Sequence, residues 1–272
     1  MGEEGRRVLD EIEKKLSNIT YKVMVISGKG GVGKSFITAN LALCTALMGY
    51  KVAVLDADIH GPSIPKILGV HGKRFSVISS GIVPVLGPMG IKVVSMDFLL
   101  PSEETPVIWR GPLKFAAIRD FLSKVEWGYA DFLYIDLPPG TGDEPLSVAQ
   151  LIGSLNGAVV VTMPSDLSLL VVKKAVSFAQ KVGVRVLGIV ENMSGFTCPS
   201  CGKTYYVFGK GAGEKIAKEM NVPYLGSVPI DPRISEACDR GEPFVIKYSD
   251  APAAKALMDI TRKIIESLKE SV

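Results

Sequence analysis

The sequence predicts an α/β fold built on a doubly wound, mostly parallel sheet, and three observations carry that prediction. Short apolar, β-branched runs alternate with stretches of helical period. The runs are apolar throughout rather than at every second residue, as in strands covered by helices on both faces. The first run leads through a glycine-rich octet directly into a helical stretch. At 272 residues with no repeat and no linker, the chain reads as a single domain over 1–272.

The elements follow in order. Leu9, Ile12 and Leu16 form one stripe of a short N-terminal helix, about 3–17, expected to dock on the body. Strands are expected at 21–27, 51–58, 131–138, 157–164, 184–192 and 224–230, with helices at 34–48 and 167–182. The segment 59–112 is dense in Gly, Pro and Ser and reads as loop material with an antiparallel hairpin around Gly87-Pro88-Met89-Gly90. Leu257, Ile260, Ile264 and Leu268 make a C-terminal helical stripe. Lys255, Arg262, Lys263 and Lys269 could make that helix a membrane anchor, but its narrow apolar face and mixed charges favour packing on the chain's own sheet.

Composition excludes several classes. Apolar residues make up 47% of the chain and charged residues 22%, which argues against wholesale disorder. A net charge of +3 without a basic tract announces no nucleic-acid footprint, so no nucleic-acid partner is expected. The uncharged stretch 145–165 is interrupted by Gln150, Gly153, Ser154, Asn156 and Gly157, which suits a helix, a turn and a strand rather than a membrane span. No secretory leader stands in the first fifteen residues, so a cytoplasmic protein without a membrane partner is expected.

The octet Gly28-Lys29-Gly30-Gly31-Val32-Gly33-Lys34-Ser35 fits the phosphate-loop pattern at every required position. Glycines let successive N–H groups face phosphate oxygens, and the helix that follows adds its positive end. Lys34 supplies charge to the β- and γ-phosphates and Ser35 a hydroxyl ligand for Mg²⁺; the nucleotide-binding set runs from Gly28 through Phe36. The octet also contains the dinucleotide spacing Gly28-x-Gly30-x-x-Gly33, with Asp56 placed like a ribose-binding acid. Lys34-Ser35, which a dinucleotide site does not need, favours the triphosphate.

Asp136 ends an apolar strand and is the natural second magnesium ligand. Asp56 and Asp58 end the second strand in the same crevice. Asp58 is the better candidate to orient the attacking water, and Asp56 to support Mg²⁺ or the structure.

Four cysteines in a chain of this type are not expected to form disulfides. Cys44 reads as a small core residue, and Cys238 has no partner in sequence. Cys198-Pro-Ser-Cys201, within a segment of about 194–206, spaces two thiolates to grip one metal centre, whereas a tetrahedral zinc or a 4Fe–4S cluster usually takes four. Two copies of the chain would complete the set. Structural zinc, a redox dithiol and a free thiol pair remain as alternatives. His60 and His71 read as solvated or hydrogen-bonded, and Trp109 and Trp127 as partial core.

Lys29, directly after the first glycine of the octet, resembles the deviant phosphate loop of the MinD-like ATPases. The resemblance implies that Lys29 reaches the nucleotide of an opposing subunit and acts there in trans. Asp58-Ile-His-Gly-Pro-Ser63, Asp136-Leu-Pro-Pro-Gly-Thr-Gly-Asp143 and Glu191-Asn-Met-Ser-Gly-Phe-Thr-Cys-Pro-Ser-Cys201 together resemble the Mrp/ApbC branch. Nearly the whole chain takes part. What the resemblance implies is a weakly hydrolysing, ATP-binding homodimer that carries an iron–sulfur cluster, 4Fe–4S or 2Fe–2S, and passes it to client apoproteins. It implies a role for Asn192 in holding adenine, and lays the segment Pro229-Ile-Asp-Pro-Arg233 over the base. The four-cysteine N-terminal extension of some relatives is not matched, so a second cluster site is not expected. A positioning ATPase of the MinD or ParA type and a nucleotide-switched, zinc-bridged adaptor are the alternatives; zinc is also expected in protein purified in air.

Overall fold

The computed structural model describes residues 3–59, 61–99, 111–165 and 168–270. His60 and Trp109 lie outside them. Nine strands form one sheet, described here in chain order with the helices between them. Helix α1 (Glu3–Leu16) precedes β1 (Ile19–Ser27), α2 (Lys34–Leu47), β2 (Val52–Asp56) and the short α3 (Ile64–Ile67). A separate two-stranded hairpin, β3 (Ser76–Ile78) with β4 (Gly81–Val83), comes next, then β5 (Val85–Leu86) and β6 (Lys92–Ser95). The chain continues through α4 (Gly111–Lys124), β7 (Ala130–Asp136), α5 (Asp143–Ile152), β8 (Gly157–Thr162) and α6 (Ser168–Lys181). It closes with β9 (Val186–Thr197), β10 (Thr204–Tyr205), α7 (Ala212–Met220), β11 (Tyr224–Ile230), α8 (Pro232–Arg240), α9 (Phe244–Lys247) and α10 (Pro252–Lys269).

The sheet order is β10-β9-β8-β1-β7-β2-β6-β5, with β11 on β9; only β5 and β10 run antiparallel to their neighbours. Alternation along β1 divides the core. Val23 and Val25 face one layer, with Ile37 and Leu41 of α2 and Leu257, Ile260 and Ile264 of α10. Met24 and Ile26 face the other, with Ile12 and Leu16 of α1, Phe121 of α4 and Val176 of α6. Both terminal stripes therefore pack on the body as their spacing predicts, and no helix among the described residues is long and apolar enough to cross a membrane.

Two readings change. The hairpin around Gly87–Gly90 forms, since β5 pairs antiparallel with β6, but β6 also pairs parallel with β2 and so belongs to the main sheet. Its run Val93-Val94 is buried and fills a sheet position that the loop-rich flanks conceal. The fifth predicted strand, expected to end at 192, continues as β9 to Thr197. Met193 (φ 58°) and Gly195 (φ 83°) take left-handed backbone within it, which is uncommon inside a strand.

Candidate nucleotide site and cysteine knuckle

The parallel ladders bring the carboxylates together. Val25 and Asp56 both pair in register with Asp136, so β7 and β2 end level and β1 runs two residues farther, into the crevice beyond their carboxyl ends. The phosphate loop follows β1 and feeds α2. Gly31 and Gly33 take φ of 78° and 79°, which an L side chain resists. A Cβ on Gly28 would stand 2.2 Å from the carbonyl oxygen of Val171 in α6, so only glycine fits there.

At the mouth of the loop, the Lys34 ammonium lies 2.7 Å from Asp136 Oδ1, with both side chains buried. No hydrogen-bond acceptor among the described residues is aligned with that ammonium. An ammonium with three donors and one carboxylate beside it keeps donors for phosphate oxygens. Ser35 Oγ donates to Asp136 Oδ2 at 2.5 Å, and Thr38 Oγ1 donates to Asp136 Oδ1 at 2.7 Å. Thr38, one turn beyond Lys34 on α2, is a site residue that sequence reasoning missed; its four-residue spacing from Lys34 was the available signal.

Asp56 sits behind this group. It accepts from Ser95 Oγ at 3.2 Å, from the Ile64 amide at 3.3 Å and from the Asp58 amide at 3.3 Å. Burial, and next the charge of Asp136, push the Asp56 carboxyl well above the ordinary carboxylate range, while Lys34 opposes the shift. Asp58 is half-buried and lines the phosphate-loop cleft, about 310 Å³, together with Lys29, Ser63 and Pro139. Asp58 therefore lines the phosphate-loop cleft, and Asp56 lies behind it. The hard oxygens of Ser35 and Asp136, with Asp56 behind them, suit Mg²⁺ rather than a softer metal.

Phe36 also lines the cleft and packs edge-on against Phe244. Asn192 is buried in β9, and its amide nitrogen donates to the Val32 carbonyl of the phosphate loop at 2.9 Å. A Cβ on Gly33 would stand 2.2 Å from that nitrogen.

The cysteine pair lies at the far end of the same strand. β9 and β10 form a hairpin whose tip is the knuckle: the Cys198 amide donates to the Lys203 carbonyl at 3.0 Å, and the Gly202 amide to the Cys198 carbonyl at 2.8 Å. Backbone amides of Cys201 and then Ser200 hold the Cys198 thiol below the ordinary range. Cys198 is half-exposed and Cys201 exposed; neither is in a disulfide. No group of three or more His, Cys, Asp or Glu that could hold a metal ion stands together among the described residues.

Cys44 is buried, its thiol pushed up to about 12 by desolvation. His71 Nδ1 lies 3.0 Å from Asp97 Oδ2. Trp127 is fully buried, deeper than the partial burial expected of it.

A phosphate loop between the first strand and helix of a parallel sheet, with a carboxylate at the end of the adjacent strand, defines a P-loop NTPase. Residues 18–265 match the ParA family model described as "NUBPL iron-transfer P-loop NTPase". The chain belongs to that family. It is 54% identical over 96% of its length to an iron–sulfur cluster carrier protein of Saccharolobus solfataricus, 88% of which is covered. A carrier protein of the same description from Methanocaldococcus jannaschii is 49% identical over 95% of this chain and 89% of its own. Among solved structures, a nucleotide-binding protein of Archaeoglobus fulgidus in complex with ADP, with Co found by PIXE, superposes with a TM-score of 0.79 at 41% identity, covering 91% of this chain and 95% of that one. MinD of Aquifex aeolicus, at 23% identity and a TM-score of 0.65 over 91% of this chain and 97% of its own, shares the fold.

Proposed function

We propose that the chain is a homodimeric ATPase that holds an iron–sulfur cluster between the Cys198 and Cys201 pairs of two copies and delivers it to apoproteins. One observation carries this reading: two free thiols stand on an exposed knuckle with no further ligands beside them among the described residues. A tetrahedral metal or a 4Fe–4S cluster usually takes four protein ligands, so a second copy supplies the other two. An exposed cluster shared by two chains is accessible to incoming thiolates, as transfer requires. The carrier descriptions of relatives at about half identity, and the metal found with the Archaeoglobus fulgidus protein, support the same reading.

In the nucleotide site, Lys34 and the amides of the loop from Gly28 to Ser35 bind the phosphates, Phe36 lines the same cleft, and Asn192, bonded to the loop at Val32, would hold the adenine. Ser35 and Asp136 would hold Mg²⁺, with Asp56 behind them, and the ion would neutralise phosphate charge. Asp58 orients the attacking water. Lys29 acts on the nucleotide of the opposing copy, where its charge meets the charge developing on the transferred phosphoryl group.

Anaerobic reconstitution with iron and sulfide tests the cluster site. The wild-type chain is expected to take up a cluster, and the Cys198→Ala/Cys201→Ala variant to bind ADP but no cluster. A cluster retained by that variant overturns the ligand assignment. Zinc in place of iron, in protein grown and purified without oxygen, would make the knuckle a structural bridge.

A further inference from the structure

The cysteine knuckle has no core of its own. Every residue from 199 to 210 is exposed, including Tyr205, Tyr206, Val207 and Phe208. The orientation of Cys198 and Cys201 must therefore be set where the excursion leaves and rejoins the body. β10 contributes only two residues of pairing. On the returning leg, Gly209 is pressed against the β8–α6 connection, where an added Cβ would stand 2.2 Å from the Pro164 carbonyl oxygen.

The strongest fastening is Glu191. Its side chain is buried within β9, one residue before Asn192. One carboxylate oxygen accepts from Ser194 Oγ at 2.7 Å and from the Gly211 amide at 3.3 Å. The other accepts from the Gly213 amide at 2.7 Å. Gly211 caps α7 and Gly213 lies in its first turn, where amides lack intrahelical partners and negative charge is favoured. The departing strand and the returning leg are thus joined by two charge-assisted hydrogen bonds to one buried carboxylate, which the local bond from Ser194 holds in place. A glutamine has a single acceptor oxygen, so its amide group would oppose some of the same donors.

We propose that Glu191 is the positioning residue of the cysteine knuckle, clasping its two legs so that Cys198 and Cys201 are presented in one fixed orientation. This rests on the reading of those cysteines as metal ligands. Asn192, the next residue, fastens the strand to the phosphate loop instead. The clasp therefore acts on the cysteine end without touching the nucleotide end.

The test uses the full chain and cobalt(II) as probe, with the thiolate-to-cobalt absorption band as signature, beside the rate at which a chelator strips the reconstituted cluster. Outer-shell changes at metal sites typically cost about 10–100-fold in affinity. Glu191→Gln, which acts on the legs rather than on a ligand, is expected to weaken cobalt binding and speed cluster loss measurably but by less than that range, with ADP affinity unchanged. Ser194→Ala, which removes one donor and is the milder variant, shifts both in the same direction by less. A merely structural role would lower ADP affinity together with cobalt affinity, and that joint loss in both variants overturns the proposal. So do wild-type cobalt affinity and cluster lifetime in both variants. If instead the wild-type chain shows no more cobalt band than the Cys198→Ala/Cys201→Ala variant, the cysteine reading itself is what fails.

Discussion

Replacing Asp136 by asparagine removes the counter-charge of Lys34 while keeping the side chain's size. The two groups are 2.7 Å apart, with side-chain exposures of 6% for Lys34 and 0% for Asp136. Removing one partner of a buried pair leaves the other charge uncompensated, typically at a cost of about 3–5 kcal/mol. Asp56 limits the damage. Burial first, and next the charge of Asp136, push its carboxyl up; with Asp136 neutral the second cause disappears, and the pull of Lys34 favours the Asp56 anion more than it does in wild type. The loss is therefore expected at the lower end, about 3 kcal/mol. That corresponds to a thermal midpoint lower by about 6–12 °C for a chain of this size. In Asp56→Asn/Asp136→Asn no substitute anion remains, and the loss is larger. Urea and thermal unfolding of nucleotide-free protein measure both. ADP added without divalent cation is expected to raise the midpoint of Asp136→Asn more than that of wild type, because phosphate supplies the missing charge. A loss below about 1 kcal/mol, the scale of an exposed pair, with the double variant no worse, would refute the reasoning.

Three further outcomes follow from other parts of the molecule. Metal-free protein treated with iodoacetamide at neutral pH should label Cys198 before Cys238 and Cys44. Backbone amides depress the first thiol, whereas burial raises the other two, Cys44 to about 12; mass mapping that finds Cys238 labelled first contradicts this. Asp231 caps α8 and bonds Arg233, which holds its carboxyl below the ordinary 3.8. Its contribution is thus present above that value and lost as pH falls through the lower folded-state value. Asp231→Ala should cost about 1 kcal/mol near pH 7, and a gap to wild type that persists undiminished in acid would count against the cap. Ile260→Ala, on the buried face of α10, should lower stability by about 2–5 kcal/mol, measured by urea unfolding; a cost below about 0.5 kcal/mol would mean that this helix does not pack on the sheet.

Strands whose runs are apolar on both faces were legible in the sequence, and 224–230 coincides with β11 residue for residue. The phosphate loop was legible because its chemistry is local: eight consecutive residues supply the glycines, the lysine and the hydroxyl. Asp136 and Asp56 could be placed at the crevice because each closes an apolar run. What escaped depends on contacts distant in sequence. Thr38 meets Asp136 across 98 residues, and Ser95 meets Asp56 across 39. Glu191 opens one of the motifs, but its structural part is invisible in sequence, since its partners Gly211 and Gly213 come after the whole cysteine excursion. β6 was read as half of a local hairpin because nothing in Lys92–Ser95 announces its second, parallel neighbour β2. The continuation of β9 to Thr197 was not legible because Asn192-Met-Ser-Gly195 breaks the apolar run, and Met193 and Gly195 take left-handed backbone within the strand.

The sharing of one cluster by two copies is tested most directly by native mass spectrometry of the anaerobically reconstituted chain. Two chains with about four iron and four sulfide atoms are predicted, splitting into single chains without metal when the cluster is stripped. A single chain that retains a complete cluster, or a two-chain species whose iron survives the loss of Cys198 and Cys201, would contradict it.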